Sequence, residues 1–235
     1  VTVKRNRMSP EARKTAILDA ATRLLTVQPW ENVTVAGIVA AAGISKGGFY
    51  HHFISREDVL LAVIQRLADD SVAAGQASLA RLETDPVARY SNFLIQEARW
   101  ELSHAGKIAA IVRMAKQDGN APLLIRLKEE SLRRNLPIVR ALIGDGMAKS
   151  VFQVVDVGLT ADLLLEVGRM RWPTFLRARQ LALAGDRASG WQMIRERVRA
   201  EEGLTNRLLG LADRAVRFAP VDDYAPLLDP GCALP

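Results

Sequence analysis

The chain has 235 residues, of which 49% are hydrophobic, 25% charged and 6% aromatic, with a formal net charge of +6. That is the composition of an ordinary globular protein with ample core, and the single cysteine, Cys232, rules out an internal disulfide framework. No apolar run approaches the ~20 residues a membrane helix needs. No apolar stretch follows the cations of the first ten residues, so no secretory signal is read and the cytoplasm is the expected compartment.

Charge is unevenly placed. Residues 1–56 hold eight cations against three anions, so five of the six net positive charges lie there. A basic end on a near-neutral body suits a polyanionic partner, although a basic solvated tail has the same composition. Alanine, leucine, arginine and valine dominate and no segment alternates with period two, which predicts an all-α chain.

In chain order, Ser9-Pro10-Glu11 is a helix start, and Ile17, Ala21, Leu24 and Leu25 form one apolar stripe before Pro29 stops it. Thr34 is the next N-cap, with Val35, Ile38 and Val39 on one face. Ala40, Ala41 and Ala42 are small enough for close helix approach. Gly43 supplies the left-handed residue that ends the helix, Ile44 plugs the turn and Ser45 caps a further helix. That helix carries Lys46, Gly47, Gly48, Tyr50 and His51, hydrogen-bonding groups beside two residues without a side chain. Two short helices joined by a tight turn are how a small domain places one helix in the major groove of DNA. Ser55-x-x-Asp58 then opens a fourth helix, whose Val59, Leu60, Val63, Ile64 and Leu67 face inward.

This stretch resembles the DNA-binding domain of the tetracycline-repressor (TetR) family of bacterial regulators. Ala20-Ala21, Thr34, Ala42-Gly43-Ile44-Ser45, Tyr50-His51-His52-Phe53 and Ser55-Arg56-Glu57 follow the family pattern in order and at its spacing, from about Arg13 to Leu67. Pro29-Trp30, Val39 and Arg56 depart from its commonest residues, and Arg56 keeps a cation where lysine is usual. The resemblance implies a three-helix DNA-binding domain over 1–75, with the helix-turn-helix at about 34–53. A larger helical effector-binding and dimerisation domain over 76–219 and an irregular tail over 220–235 would follow.

The expected DNA-contacting residues are Thr34, Ser45, Lys46, Gly47, Gly48, Tyr50, His51 and Arg56. Thr34 fits a cap alone or a cap that also meets phosphate. Lys46 fits a base edge or a phosphate. The two glycines fit a backbone close to DNA or plain loop character. His51 and His52 project about 100° apart, so one is expected to reach DNA, His51 before His52. Tyr50 resembles the family's phosphate-contacting tyrosine, and Phe49 and Phe53 read as core.

The second part reads as about five helices. Asp85-Pro86 starts one with Tyr90, Phe93, Leu94, Glu97 and Trp100 on a shared face, and Asp118-Gly119-Asn120 breaks the next. A helix from Pro122 to Ile143 is expected to close at Gly144-Asp145-Gly146. Thr160 is expected to cap a helix to Ala184 kinked at Pro173, and a last helix spans Trp191 to about Phe218. By position, the last two correspond to the family's dimerisation helices. One short reading helix touches few base pairs, whereas two copies read a palindrome. Trp100, Met114, Met170, Trp172 and Phe175, with Arg113 or Arg169 as an anion anchor, are the expected effector-pocket residues, although the same spacing suits plain core packing.

Three histidines and one cysteine offer no zinc spacing, and phosphate-loop and nucleophile-elbow motifs are absent, so no cofactor, metal or catalytic residue is expected. The reading is a homodimeric repressor of palindromic double-stranded DNA, released by a small molecule. The alternatives are a same-fold activator, a ligand-independent binder, or a helical enzyme with a DNA-binding appendage.

Overall fold

The computed structural model describes residues 8–79, 84–115 and 121–229. Ser9 Oγ accepts a hydrogen bond from the Ala12 amide at 3.1 Å and Pro10 takes the first position, so α1 (Pro10–Val27) begins where its capping chemistry allows. A single 3-10 turn, Trp30–Asn32, buries Trp30. In α2 (Val35–Ala42) the Gly37 amide donates to Thr34 Oγ1 at 3.0 Å, and Gly43, at φ 66°, ends the helix. In α3 (Lys46–Tyr50) the Gly48 amide donates to Ser45 Oγ at 3.1 Å. α4 (Arg56–Leu79) opens on a reciprocal cap, Asp58 N to Ser55 Oγ at 3.1 Å and Ile54 N to the Asp58 carboxylate at 3.3 Å.

Ile17, Leu25, Val33, Ile38, Phe49, Val59 and Val63 from these elements close one core. Arg66 ties α4 to α1 through Asp19 at 2.7 Å and Thr22 at 3.1 Å. α6 (Ala105–Ala115) adds Ala110, Ile111 and Met114 to that core, and Trp100 of α5 (Pro86–Ser103) packs on it. A helix of the second part thus completes the first part's core.

The body is built from α5, α6, α7 (Ala121–Ala148), α8 (Val157–Arg169), α9 (Arg171–Leu183) and α10 (Arg187–Leu208). α9 and α10 form its most extensive helix pair. Trp172, Phe175, Ala178, Ile194 and Val198 fill the core between them, and Tyr90, Phe93, Val139, Ile143 and Phe152 fill a second one under α7 and α8. Among the described residues no strand is present and no helix is long and apolar enough to cross a membrane.

Several boundaries differ from the sequence expectation. α7 runs straight through Gly144-Asp145-Gly146 because Gly146 is a contact point: an added Cβ would lie 2.1 Å from the Phe152 ring. α8 is capped by Asp156, whose carboxylate accepts from Leu159 N at 2.6 Å, while Thr160 is buried. The expected kinked helix is two helices meeting at Met170, which places Pro173 in the first turn of α9, where a missing N–H costs nothing. α10 starts at Arg187, behind the Asp186 cap, and ends at Leu208.

Residues 220–229 of the expected irregular tail are ordered. A 3-10 helix, Val221–Leu228, buries Tyr224, Leu227 and Leu228 against α9 and α10. Arg179 donates to the carbonyls of Leu227 at 3.1 Å and Asp229 at 2.9 Å, and Arg187 to that of Leu228 at 3.0 Å. The expected break at Asp118-Gly119-Asn120 lies outside the described residues.

Candidate nucleic-acid interface

α3 is held from behind and open in front. Phe49 is fully buried and Phe53 nearly so, their rings 6.1 Å apart, and both belong to the N-terminal core. With these two aromatic residues facing inward, Lys46, Gly47, Tyr50 and His51 are left on the exposed side. Tyr50 is 49% exposed with its ring edge-on to Phe49, which fixes the ring while leaving the hydroxyl in solvent. Thr34 and Ser45, the caps of α2 and α3, are exposed too, so both helix N-termini are open to solvent. Helix N-termini favour anions.

The two glycines of α3 differ. A Cβ on Gly47 would meet nothing within 4 Å, whereas one on Gly48 would lie 3.2 Å from Arg13 Cδ and 3.3 Å from Ser45 Oγ. Gly47 keeps the outer face low; Gly48 lets α1 approach α3. The histidines also divide. His51 is exposed, while His52 is half-buried, with burial first and then His51, Arg13 and Lys14 pushing its imidazole pKa down.

Arg56 does a structural task that its sequence position did not reveal. Its Nη1 donates to the carbonyls of Trp30 at 3.0 Å, Glu31 at 3.2 Å and Val33 at 2.8 Å, and its guanidinium lies 5.8 Å from the Trp30 ring centre. Nε meets Glu57 at 2.7 Å. It clasps the loop between α1 and α2 to the start of α4.

In the body, a small, partly open cavity lies between α5, α7, α8, α9 and α10. Its walls are mostly apolar, with Tyr90, Phe93, Leu94, Leu164, Leu165 and Phe218 prominent, and Arg171, Glu201 and Thr205 form its polar end. Arg171 grips Glu201 through Nε at 2.9 Å and Nη2 at 2.7 Å and reaches Glu101 at 3.4 Å. Arg197 meets the other oxygen of Glu201 at 2.5 Å. These carboxylates hold the Arg171 pKa above its usual value despite burial.

Residues 17–63 match the family model described as bacterial regulatory proteins, tetR family. The chain is 29% identical over 169 residues to the HTH-type transcriptional regulator YwcC of Bacillus subtilis, covering 67% of this chain and 73% of that protein. It is 37% identical over 78 residues to the HTH-type transcriptional repressor KstR2 of Rhodococcus jostii, covering 30% of this chain and 38% of that one. A TetR-family transcriptional regulator from Syntrophomonas wolfei shares the fold with a TM-score of 0.64 at 19% identity, over 84% of this chain and 96% of its own.

Through residues 17–63 the chain carries the TetR-family DNA-binding unit. These matches decide for a DNA-binding transcriptional regulator over a helical enzyme with an appendage.

In this regulator the residues expected from sequence to line an effector pocket do not converge. Trp100 and Met114 pack with the N-terminal core, and Trp172 and Phe175 fill the core between α9 and α10. Met170 is 56% exposed at the α8–α9 junction, Arg169 pairs with Glu166, and the Arg113 side chain lies outside the described residues. Sequence reasoning missed Arg171 and Glu201, thirty positions apart on different helices. The one available signal was their charge inside otherwise apolar helical faces.

Proposed function

We propose that this regulator is a cytoplasmic homodimeric repressor that binds a palindromic operator and leaves it when a small molecule occupies the body. The observation that carries the DNA side is the orientation of α3, with Phe49 and Phe53 inward and Lys46, Gly47, Tyr50 and His51 outward. Thr34, Ser45 and Tyr50 meet phosphates, while Lys46, the Gly47 backbone and His51 face base edges. Gly48 sets the closeness of α3 to α1. Arg56 spends its Nη1 and Nε on the fold and adds to the positive field at the surface. The cationic arm of residues 1–7 precedes the described residues and supplies further phosphate contacts.

Dimerisation is supported by apolar side chains left on the surface. Leu159, Leu163 and Met170 are 58%, 44% and 56% exposed and share one helical face along α8 and its end, with Leu204 of α10 37% exposed. A second copy covering that face places two reading helices on one duplex. The domain division near residue 75 falls inside α4, a helix continuous from the DNA-binding unit into the body. The KstR2 name, repressor, supports the same sign of control.

A mobility-shift titration against DNA flanking the regulator's own gene tests the proposal. A dimeric, sequence-selective shift that weakens with salt is expected, and its absence overturns the reading. Lys46→Ala separates the two contacts open to that side chain. A phosphate contact lowers the log–log salt slope by about one, whereas a base-edge contact leaves the slope and relaxes sequence preference.

A further inference from the structure

Resting on the reading of this chain as an effector-responsive regulator, we propose that its effector is an amphiphilic monocation. Its ammonium-type charge is taken up by Glu97, and its apolar part fills the cavity one helical turn away.

Tyr90, Phe93, Leu94, Glu97 and Glu101 follow one another along one side of α5. Phe93 and Leu94 line the cavity, and the two carboxyls continue the same face beyond it. Carboxyl groups outnumber cations there. Arg171 and Arg197 are two cations, set against the three carboxyls of Glu97, Glu101 and Glu201. Glu201 takes both arginines, and Glu101 takes what remains of Arg171 and a hydrogen bond from Trp172. Among the described residues, Glu97 has no ion-pair partner. Its oxygens accept only from Ser71 Oγ of α4, at 3.2 Å each.

A second polar group in the same cluster is unsatisfied. The Tyr224 hydroxyl, on a residue 1% exposed, has no hydrogen-bond partner among the described residues and lies in the field of Arg171, Glu101 and Glu201.

Charge complementarity then selects the ligand. An anion entering the cavity faces the surplus carboxyl and an arginine already gripped by carboxylates, and prising that buried pair apart is strongly unfavourable. A neutral molecule leaves the Glu97 proton in place and gains no charge interaction there. A cation supplies it, and its apolar body gains the aromatic and aliphatic walls. Burial, reinforced by Glu101 and opposed by Ser71 and Arg171, pushes the Glu97 pKa up to about 8, so a proton holds the place that the cation takes.

The groups acting on Glu97 are Glu101 on its own helix, Arg171 on α9 and Ser71 on α4, while Glu201 on α10 and Tyr224 in the C-terminal turn adjoin Arg171 and Glu101. Arg134 of α7 is engaged by Asp69 and Glu130. Because Ser71 belongs to the helix that runs on from the DNA-binding unit, a ligand that draws Glu97 from Ser71 acts on α4 itself.

Calorimetry on the full chain with octylamine, octanol and octanoate tests this, because the three share one apolar body. Octylamine is expected to bind at least about tenfold tighter than either other probe, a margin of about 1.4 kcal/mol. Glu97→Gln is expected to erase the preference. Binding the cation expels the Glu97 proton, so octylamine affinity rises about ninefold from pH 6 to pH 7 and levels off above about 8. Equal or tighter binding of octanol or octanoate, no binding by any probe, a flat pH profile, or a preference that survives in folded Glu97→Gln overturns the proposal. If that variant fails to fold, the wild-type probe series and pH profile decide alone. The operator shift of ligand-free protein is a separate readout. A chain that shifts DNA without preferring the amine loses only this inference, and one that shifts no DNA loses the regulator reading.

Discussion

The helices of the DNA-binding unit start on Ser9, Thr34, Ser45 and Ser55, whereas three helices of the body start on Asp85, Asp156 and Asp186. Both residue types accept the same hydrogen bond from an amide three residues on, and aspartate adds a favourable charge at the positive end of the helix. A stability argument alone therefore offers no reason to avoid aspartate in the first unit. A polyanionic partner does. A carboxylate beside α2 or α3 repels phosphate, while a hydroxyl completes the cap and leaves the helix terminus attractive to anions. The same local geometry has been met with different chemistry on the face proposed to meet DNA and in the body.

Local helix stops are shared by the two regions: left-handed glycines follow α2 at Gly43, α9 at Gly185 and α10 at Gly210. α2 ends at Gly43 in the left-handed conformation, a purely local device. In the body, Gly144 and Gly146 do not stop α7, where Gly146 packs on Phe152, and Pro173 lies in the first turn of α9 instead of kinking one long helix.

Substitutions sharpen or break this contrast. The largest effect is expected from Phe49→Ala, which empties a fully buried site behind α3; a loss of about 4 kcal/mol in chemical denaturation is expected, with loss of operator binding. Gly146→Ala comes next. A helical glycine with only local meaning gains up to about 1 kcal/mol on replacement. One packed against Phe152 loses about 2 kcal/mol, and thermal melting reads the sign directly. Thr34→Asp is expected to leave the melt nearly unchanged while weakening operator binding about tenfold, equivalent to about 1.4 kcal/mol. Unchanged DNA affinity would remove the electrostatic explanation of the caps. Pro173→Ala should be the smallest, within about 0.5 kcal/mol, because the first turn of α9 has no use for that N–H. A loss well above that would restore the proline to a kinking role.

Much of the DNA-binding unit was legible from the chain because its signals are short-ranged. Ser9, Thr34 and Ser45 each cap an amide three residues away, Gly43 ends α2 alone, and the inward stripe of α4 lies within one helix. The roles of Arg56 and Gly48 were not legible. Arg56 is a loop clasp only because the chain brings Trp30, Glu31 and Val33 back to it, and Gly48 is tight only because α1 crosses α3 at Arg13.

By itself the sequence determined the all-helical class, the helix starts and the trihelical motif with its outward α3, since hydroxyl caps, a left-handed glycine and 3.6-residue periodicity act over a few residues. Only the tertiary structure decided which side chains surround the cavity and how their carboxyls and cations are paired. Arg171, Glu201, Glu97 and Tyr224 lie on four different segments, and a charge balance among them exists only once packing has removed the water between those segments. The proline-rich tail makes the same point: nothing local marks Val221–Leu228 as ordered, and its 3-10 turn is held by arginines of α9 and α10 together with the burial of Tyr224, Leu227 and Leu228.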